Sequence, residues 1–154
     1  MRLTREVLLE VIDGATSSLI IVSDAAYKVP DIVHALSDTA QRGVDVRLVL
    51  ESSEGSGGRL SRDAADAFRD LAEVRFYKWP AEQRRSASGL AGSMHAKVTI
   101  DDEAVAFITS ANLTGSAIET NMELGIYIRG GALPRRLARH FRGLIASGSL
   151  VKIG

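Results

Sequence analysis

Residue types that could do chemistry together concentrate in Met94-His95-Ala96-Lys97-Val98-Thr99-Ile100-Asp101-Asp102, followed by Thr109-Ser110-Ala111-Asn112. Read as a strand, the first stretch places His95 and Lys97 two residues apart, so both side chains leave the same face. An imidazole and an ammonium side by side would repel if buried together, and the pair becomes sensible when an anion sits between them. Ser110 and Asn112, at the end of the next strand, can bring a hydroxyl and an amide to the same place. Such a cluster suits a phosphate oxyanion.

Alternating helices and strands must position these groups. Residues 4–15 place Val7, Leu8, Val11 and Ile12 on one face, a helix with Thr4 as N-cap. Ser18 to Ser23 is a continuous apolar run, the signature of a strand covered on both faces. Pro30 starts a helix to Arg42 that Gly43 terminates, and Val44 to Leu50 is a second strand. The loop Ser52 to Gly58 leads to a helix capped by Ser61 and running to Leu71, and Val74 to Tyr77 is a short strand. Pro80 to Ser93 is a long loop. His95 to Ile100 and Ala104 to Thr109 are strands joined by a hairpin turn at Asp101-Asp102-Glu103. A strand at Glu123 to Ile128, a helix at Leu133 to Ser147 and a last strand at Leu150 to Ile153 complete the chain. The pattern predicts a single α/β domain over residues 1–154, with a mixed, mostly parallel sheet and helices on both faces.

The composition frames the possible functions. An apolar content of 45% and a charged content of 25% are those of a soluble globular protein. The chain has no cysteine, which excludes disulfides and thiolate metal sites and is compatible with a reducing cytoplasm. Its apolar runs are strand-length, so no stable membrane association is expected. After Glu123 there are six basic residues and no acid, against 13 basic and 19 acidic among residues 1–123. Most of these late cations are expected to pair with acids elsewhere on the fold.

The spacing of His95, Lys97 and Asp102, followed by Thr109-Ser110-x-Asn112, resembles the histidine–lysine–aspartate motif of the phospholipase D superfamily. Glu123, in Asn121-Met122-Glu123, matches the family's downstream acid. One departure is Thr109, which stands where the family usually has glycine. The resemblance implies a phosphodiesterase that needs no metal or other cofactor and forms a phosphohistidine intermediate. His95 would attack phosphorus, while Lys97, Ser110 and Asn112 hold the nonbridging oxygens. Glu123 would accept a bond from one ring nitrogen of His95 and so fix the tautomer. Asp102 is expected to order the hairpin turn rather than touch substrate.

The mechanism calls for two histidines, and neither His34-Ala35-Leu36 nor His140-Phe141-Arg142 reproduces the motif. Both are expected on helix flanks. Single-motif members of the family form two-fold dimers, which implies a homodimer with His95 of both subunits in one site. The chain is most similar to the family's small bacterial nucleases, so nucleic acid is the expected substrate, with Arg59, Arg84 and Arg85 as a basic rim for its backbone. Phospholipid hydrolysis is the alternative enzymatic reading. A further alternative is a non-catalytic nucleic-acid-binding or accessory subunit, since the chain also resembles phospholipase D-like proteins of anti-phage defence systems.

Overall fold

The computed structural model describes residues 3–27, 29–51, 68, 71–84 and 92–153. Its elements are α1 (Thr4–Gly14), β1 (Ser18–Ser23), β2 (Ala26–Tyr27), α2 (Pro30–Gln41), β3 (Asp45–Leu50), β4 (Arg75–Lys78) and a 3-10 turn at Ala81–Gln83. They continue with β5 (Val98–Asp101), β6 (Val105–Thr109), β7 (Leu113–Thr114), α3 (Gly115–Glu119), β8 (Gly125–Arg129), α4 (Leu133–Ala146) and β9 (Val151–Ile153). The expected loop 52–58, and most of the helix expected from Ser61, lie outside the described residues.

Strand β1 occupies the centre of a seven-stranded sheet ordered β8-β6-β5-β1-β3-β4-β9. Its alternation explains why it reads as uninterrupted apolar sequence. Leu19 and Ile21 pack with Val7, Leu8, Val11 and Ile12 of α1 and with Ile32 and Leu36 of α2. Ile20 and Val22 face the other way, into a cluster with Ala138 and Phe141 of α4. Helices therefore cover both faces of a mixed sheet, as the sequence predicts. The expectation of mostly parallel pairing is corrected: β3 joins β1 and β4 in parallel, whereas the other four junctions are antiparallel. The cause is the hairpin. Its turn is too short for a crossover, so β6 lies antiparallel to β5, and β5 enters the sheet antiparallel to β1.

Two local expectations meet different outcomes. Gly43 follows α2 with φ of 86°, and its N–H donates to the Ala40 carbonyl, so glycine relieves the left-handed strain there. Thr4, by contrast, is the first helical residue rather than the cap; Leu3 holds the N-cap position and makes no side-chain cap bond.

At the turn between β5 and β6, Asp102 and Glu103 both adopt positive φ, 48° and 58°. The Asp102 carboxylate offsets that strain by accepting from Thr16 N at 2.9 Å, Thr16 Oγ1 at 2.6 Å, Ser17 N at 2.7 Å and Ser18 N at 2.8 Å. It thus ties the hairpin to the link between α1 and β1. Burial alone would raise its pKa, but these bonds outweigh burial and hold it at about 2. The adjacent Asp101 goes the other way, to about 6, through burial and the neighbouring Asp102 charge.

The two shifts act in opposite pH windows. Asp102 stabilises the fold above the unfolded-state value of 3.8 and loses that contribution as pH falls toward 2. Asp101 holds its proton in the fold, so stability declines as pH rises from about 3.8 to about 6. Asp101→Asn is therefore expected to remove the decline between pH 4 and 6 and to raise stability at pH 7 by about 2 kcal/mol. Urea unfolding across this range checks it; an unchanged slope would contradict the assignment.

Candidate active site

Strand β5 begins at Val98, so His95 and Lys97 precede it instead of lying on it. The expectation that both leave one face of a strand is corrected accordingly. The pairing on one side has run out, because β1 ends at Ser23 and turns away, while on the other side Thr109 N still donates to Lys97 O at 3.2 Å. The Lys97 side chain is 6% exposed and the His95 side chain 77% exposed. They nevertheless converge. The Lys97 ammonium lies 3.2 Å from Asp24 Oδ1, and His95 Nε2 lies 3.6 Å from Asp24 Oδ2. The ammonium also donates to the His95 carbonyl at 3.1 Å. An anion does sit between the imidazole and the ammonium, and it is a carboxylate of the chain itself.

Asp24 went unnoticed in the sequence. The available signal was its position, one residue beyond a strand buried on both faces, at the sheet edge where ligand sites form in α/β folds. The chain around it is fixed by local bonds. Ser23 Oγ donates to Ala25 O at 2.6 Å, and Leu113 N donates both to Ser23 Oγ at 3.0 Å and to Ala25 O at 3.1 Å. The two-residue pair of β2 with β7 continues that contact and brings Asn112 beside Asp24's loop. Elements this short have no periodicity to read.

Asn112 Oδ1 is enclosed without a hydrogen-bond partner among the described residues. Asn112 lines, with Lys97, Thr99 and Thr109, a cavity of about 20 Å³, room for one water. Unsatisfied buried groups of this kind are uncommon in native structures. Ser110 Oγ donates to Glu123 Oε2 and accepts from Leu124 N at 3.1 Å. Asn121 donates to the other Glu123 oxygen at 3.4 Å. Glu123 is thus held by Ser110 and Asn121, and the expected bond to His95 is not formed, because His95 is turned toward Asp24. The threonine at 109 has its own part: its hydroxyl donates to Leu124 O at 3.3 Å and accepts from Ala111 N at 3.1 Å, bracing the turn that carries Ser110 and Asn112. Gly125 permits the close packing behind Glu123, since a Cβ there would lie 2.4 Å from the buried Phe107 ring.

Other expected residues lie apart from this cluster. Asp102 is at the opposite end of β5, as its structural reading requires. His34 is exposed on α2 beside Asp38, and His140 is exposed on α4. Arg129 pairs with Glu10 and Arg142 with Glu103, as expected for late cations. Arg59 and Arg85 lie outside the described residues. Arg84 is a correction to the basic rim: its side chain is 3% exposed, pairs with Glu51, donates to Trp79 O at 2.9 Å and stacks over the Trp79 ring. Glu51 in turn accepts from Met94 N at 2.6 Å. The Arg84–Glu51 pair therefore clips the segment leading into His95 to the end of β3.

A family model described as "Cardiolipin synthase, PLD-like domain" matches residues 8–145. The "DISARM protein DrmC" of Bacillus paralicheniformis is 28% identical over 131 residues, which cover 84% of this chain and 51% of that protein. "Phospholipase D Z" of Dictyostelium discoideum is 33% identical over 96 residues, 62% of this chain and 21% of that protein. The chain thus spans about half the length of the first of these curated relatives and about a fifth of the second. In fold it is similar to Nuc of Salmonella typhimurium, a phospholipase D family member, with a TM-score of 0.76, 22% identity and coverage of 97% and 90%. NucT of Helicobacter pylori superposes with a TM-score of 0.79 at 19% identity, covering 97% of this chain and 91% of that one.

The burial of Arg84 sets its expected mutational phenotype. Arg84→Ala removes the guanidinium from the largely buried Glu51 carboxylate and should lower unfolding stability by about 3 kcal/mol. If that variant kept wild-type stability and lost only affinity for a polyanion, Arg84 would belong to a binding rim after all.

Proposed function

This chain belongs to the phospholipase D-like family, and from that premise we propose that it is a phosphodiesterase acting on a nucleic-acid backbone through a phosphohistidine. The observation that carries this reading is the approach of His95 Nε2 and Lys97 Nζ, within 3.6 and 3.2 Å, to the two oxygens of one anion. Nonbridging oxygens of a phosphate diester offer the same valence to the same donors.

In the proposed reaction, His95 attacks phosphorus and the bond to the leaving oxygen breaks as a second imidazolium gives that oxygen its proton. Water, deprotonated by the second imidazole, then attacks phosphorus; the P–N bond breaks, and a monoester and free His95 remain. Lys97, Ser110 and Asn112 stabilise charge on the nonbridging oxygens. Glu123 fixes the His95 ring once the exposed imidazole swings from Asp24 toward it. Asp102 acts only through the hairpin.

The second imidazole is assigned to His95 of a second copy. Met122, Leu124 and Ile126 are 102%, 78% and 60% exposed, and with Ile108 they flank Glu123 and Ser110. Exposed apolar side chains in such a group suit an interface, and β8 is also an edge strand, paired on one side with β6 and, among the described residues, open on the other. A two-fold contact here would bring the two sites together. Among the described residues, no helix is long and apolar enough to cross a membrane. The relative named as a DISARM protein favours a second reading, in which the chain serves an anti-phage system as an accessory subunit that binds nucleic acid without cleaving it.

Hydrolysis of bis(p-nitrophenyl) phosphate, single-stranded DNA, duplex DNA and phosphatidylcholine vesicles, each with and without EDTA, separates these readings. Cleavage of the diester and of DNA, unchanged by EDTA, is expected. Ile126→Asp should yield monomers with activity lower by about 100-fold or more. Activity restored only by a divalent metal, or a fully active monomer, would overturn the mechanism; tight DNA binding without cleavage would favour the accessory reading.

A further inference from the structure

Resting on the reading of His95 and Lys97 as a phosphate site, we propose that Asp24 is a specificity residue that suits the site to the single charge of a diester and repels the double charge of a monoester. Asp24 is more than a counter-ion for Lys97. A carboxylate serving only the buried ammonium has no reason to present its other oxygen 3.6 Å from an imidazole that is 77% exposed and free to lie elsewhere. Its Oδ1 is sealed from solvent and, among the described residues, makes no hydrogen bond of good geometry beyond the ammonium contact. The backbone on either side is pinned by the Ser23, Ala25 and Leu113 bonds, so the carboxylate cannot withdraw by a loop shift. An arriving phosphate therefore shares the Lys97 ammonium and the His95 imidazole with a fixed negative charge.

The consequence follows from Coulomb's law. A diester carries one negative charge, whereas its monoester product carries close to two near neutral pH. Repulsion by Asp24 at fixed distance is twice as large for the dianion as for the monoanion. Glu123, bonded to Ser110 on the other side of the site, adds repulsion of the same sign. Lys97 supplies the attraction that lets the diester bind. Asp24 thereby weakens the hold on the product more than on the substrate, which favours release after the P–N bond breaks.

The test uses two inert probes at pH 8 and constant ionic strength: dimethyl phosphate for the monoanion and inorganic phosphate for the dianion. Their dissociation constants are measured by calorimetry on wild type and on Asp24→Asn, with Asp24→Ser as the second charge-removing variant should the first not fold. Because the repulsion doubles with charge, the tightening for inorganic phosphate should be the square of that for dimethyl phosphate, about 100-fold against about 10-fold. Equal tightening of both probes, no tightening, or weaker binding would overturn the proposal. Turnover of bis(p-nitrophenyl) phosphate is assayed separately. A wild type without turnover whose variants show the unequal tightening would sink the phosphodiesterase reading and leave Asp24's role standing.

Discussion

An ammonium group almost wholly removed from water must find a compensating charge, and Lys97 finds it in Asp24. Without a partner, an ion in such surroundings costs several kcal/mol. That single requirement fixes much of the surrounding structure. It calls the end of β1 to the start of β5, and the bonds of Ser23 and Ala25 to Leu113 hold that end against the turn carrying Ser110 and Asn112. His95 then reaches the same carboxylate from the solvent side. The site gathers Lys97 and His95 around one carboxylate, with the lysine deeply packed and the histidine largely exposed. That division matches the tasks proposed for them, because oxyanion stabilisation benefits from a fixed donor and nucleophilic attack from a ring that can reorient.

The far end of β5 shows how the same motif serves folding. Asp102 accepts four bonds from Thr16, Ser17 and Ser18, more than 80 residues earlier in the chain. It locks the hairpin in register with β1, and register is what delivers Lys97 to the sheet edge beside Asp24. The motif therefore spans one strand, with charge chemistry at one end and an anchor at the other. Glu51 and Arg84 act in the same sense on the neighbouring side, clipping the segment that enters the site to β3.

Much of this was legible in the sequence because it rests on local chemistry. The run Ser18–Ser23 announces a strand buried on both faces, Pro30 and Gly43 bracket a helix, and the acidic turn at 101–103 announces a hairpin. The spacing of His95, Lys97, Ser110, Asn112 and Glu123 announces polar side chains gathered near one sheet edge. What was not legible depends on contacts remote in sequence. Asp24 gains meaning only when β1 and β5 are neighbours. Arg84 carries the composition of a surface residue and becomes an interior clip only because Glu51 is there to pair with it. The antiparallel balance of the sheet follows from where the hairpin inserts, which periodicity does not encode. Glu123's bond to Ser110 in place of His95 depends on a side-chain orientation that no spacing rule contains.

In the proposed mechanism one His95 is half of a site and a second copy supplies the rest. Wild-type protomers and His95→Ala protomers, mixed in known proportions and allowed to exchange subunits, test it through diester turnover. If both histidines are needed, only dimers of two wild-type protomers work, so activity falls with the square of the wild-type fraction and an equal mixture retains about a quarter. Activity that falls in simple proportion, leaving about half in the equal mixture, would mean that each protomer works alone and would contradict the account.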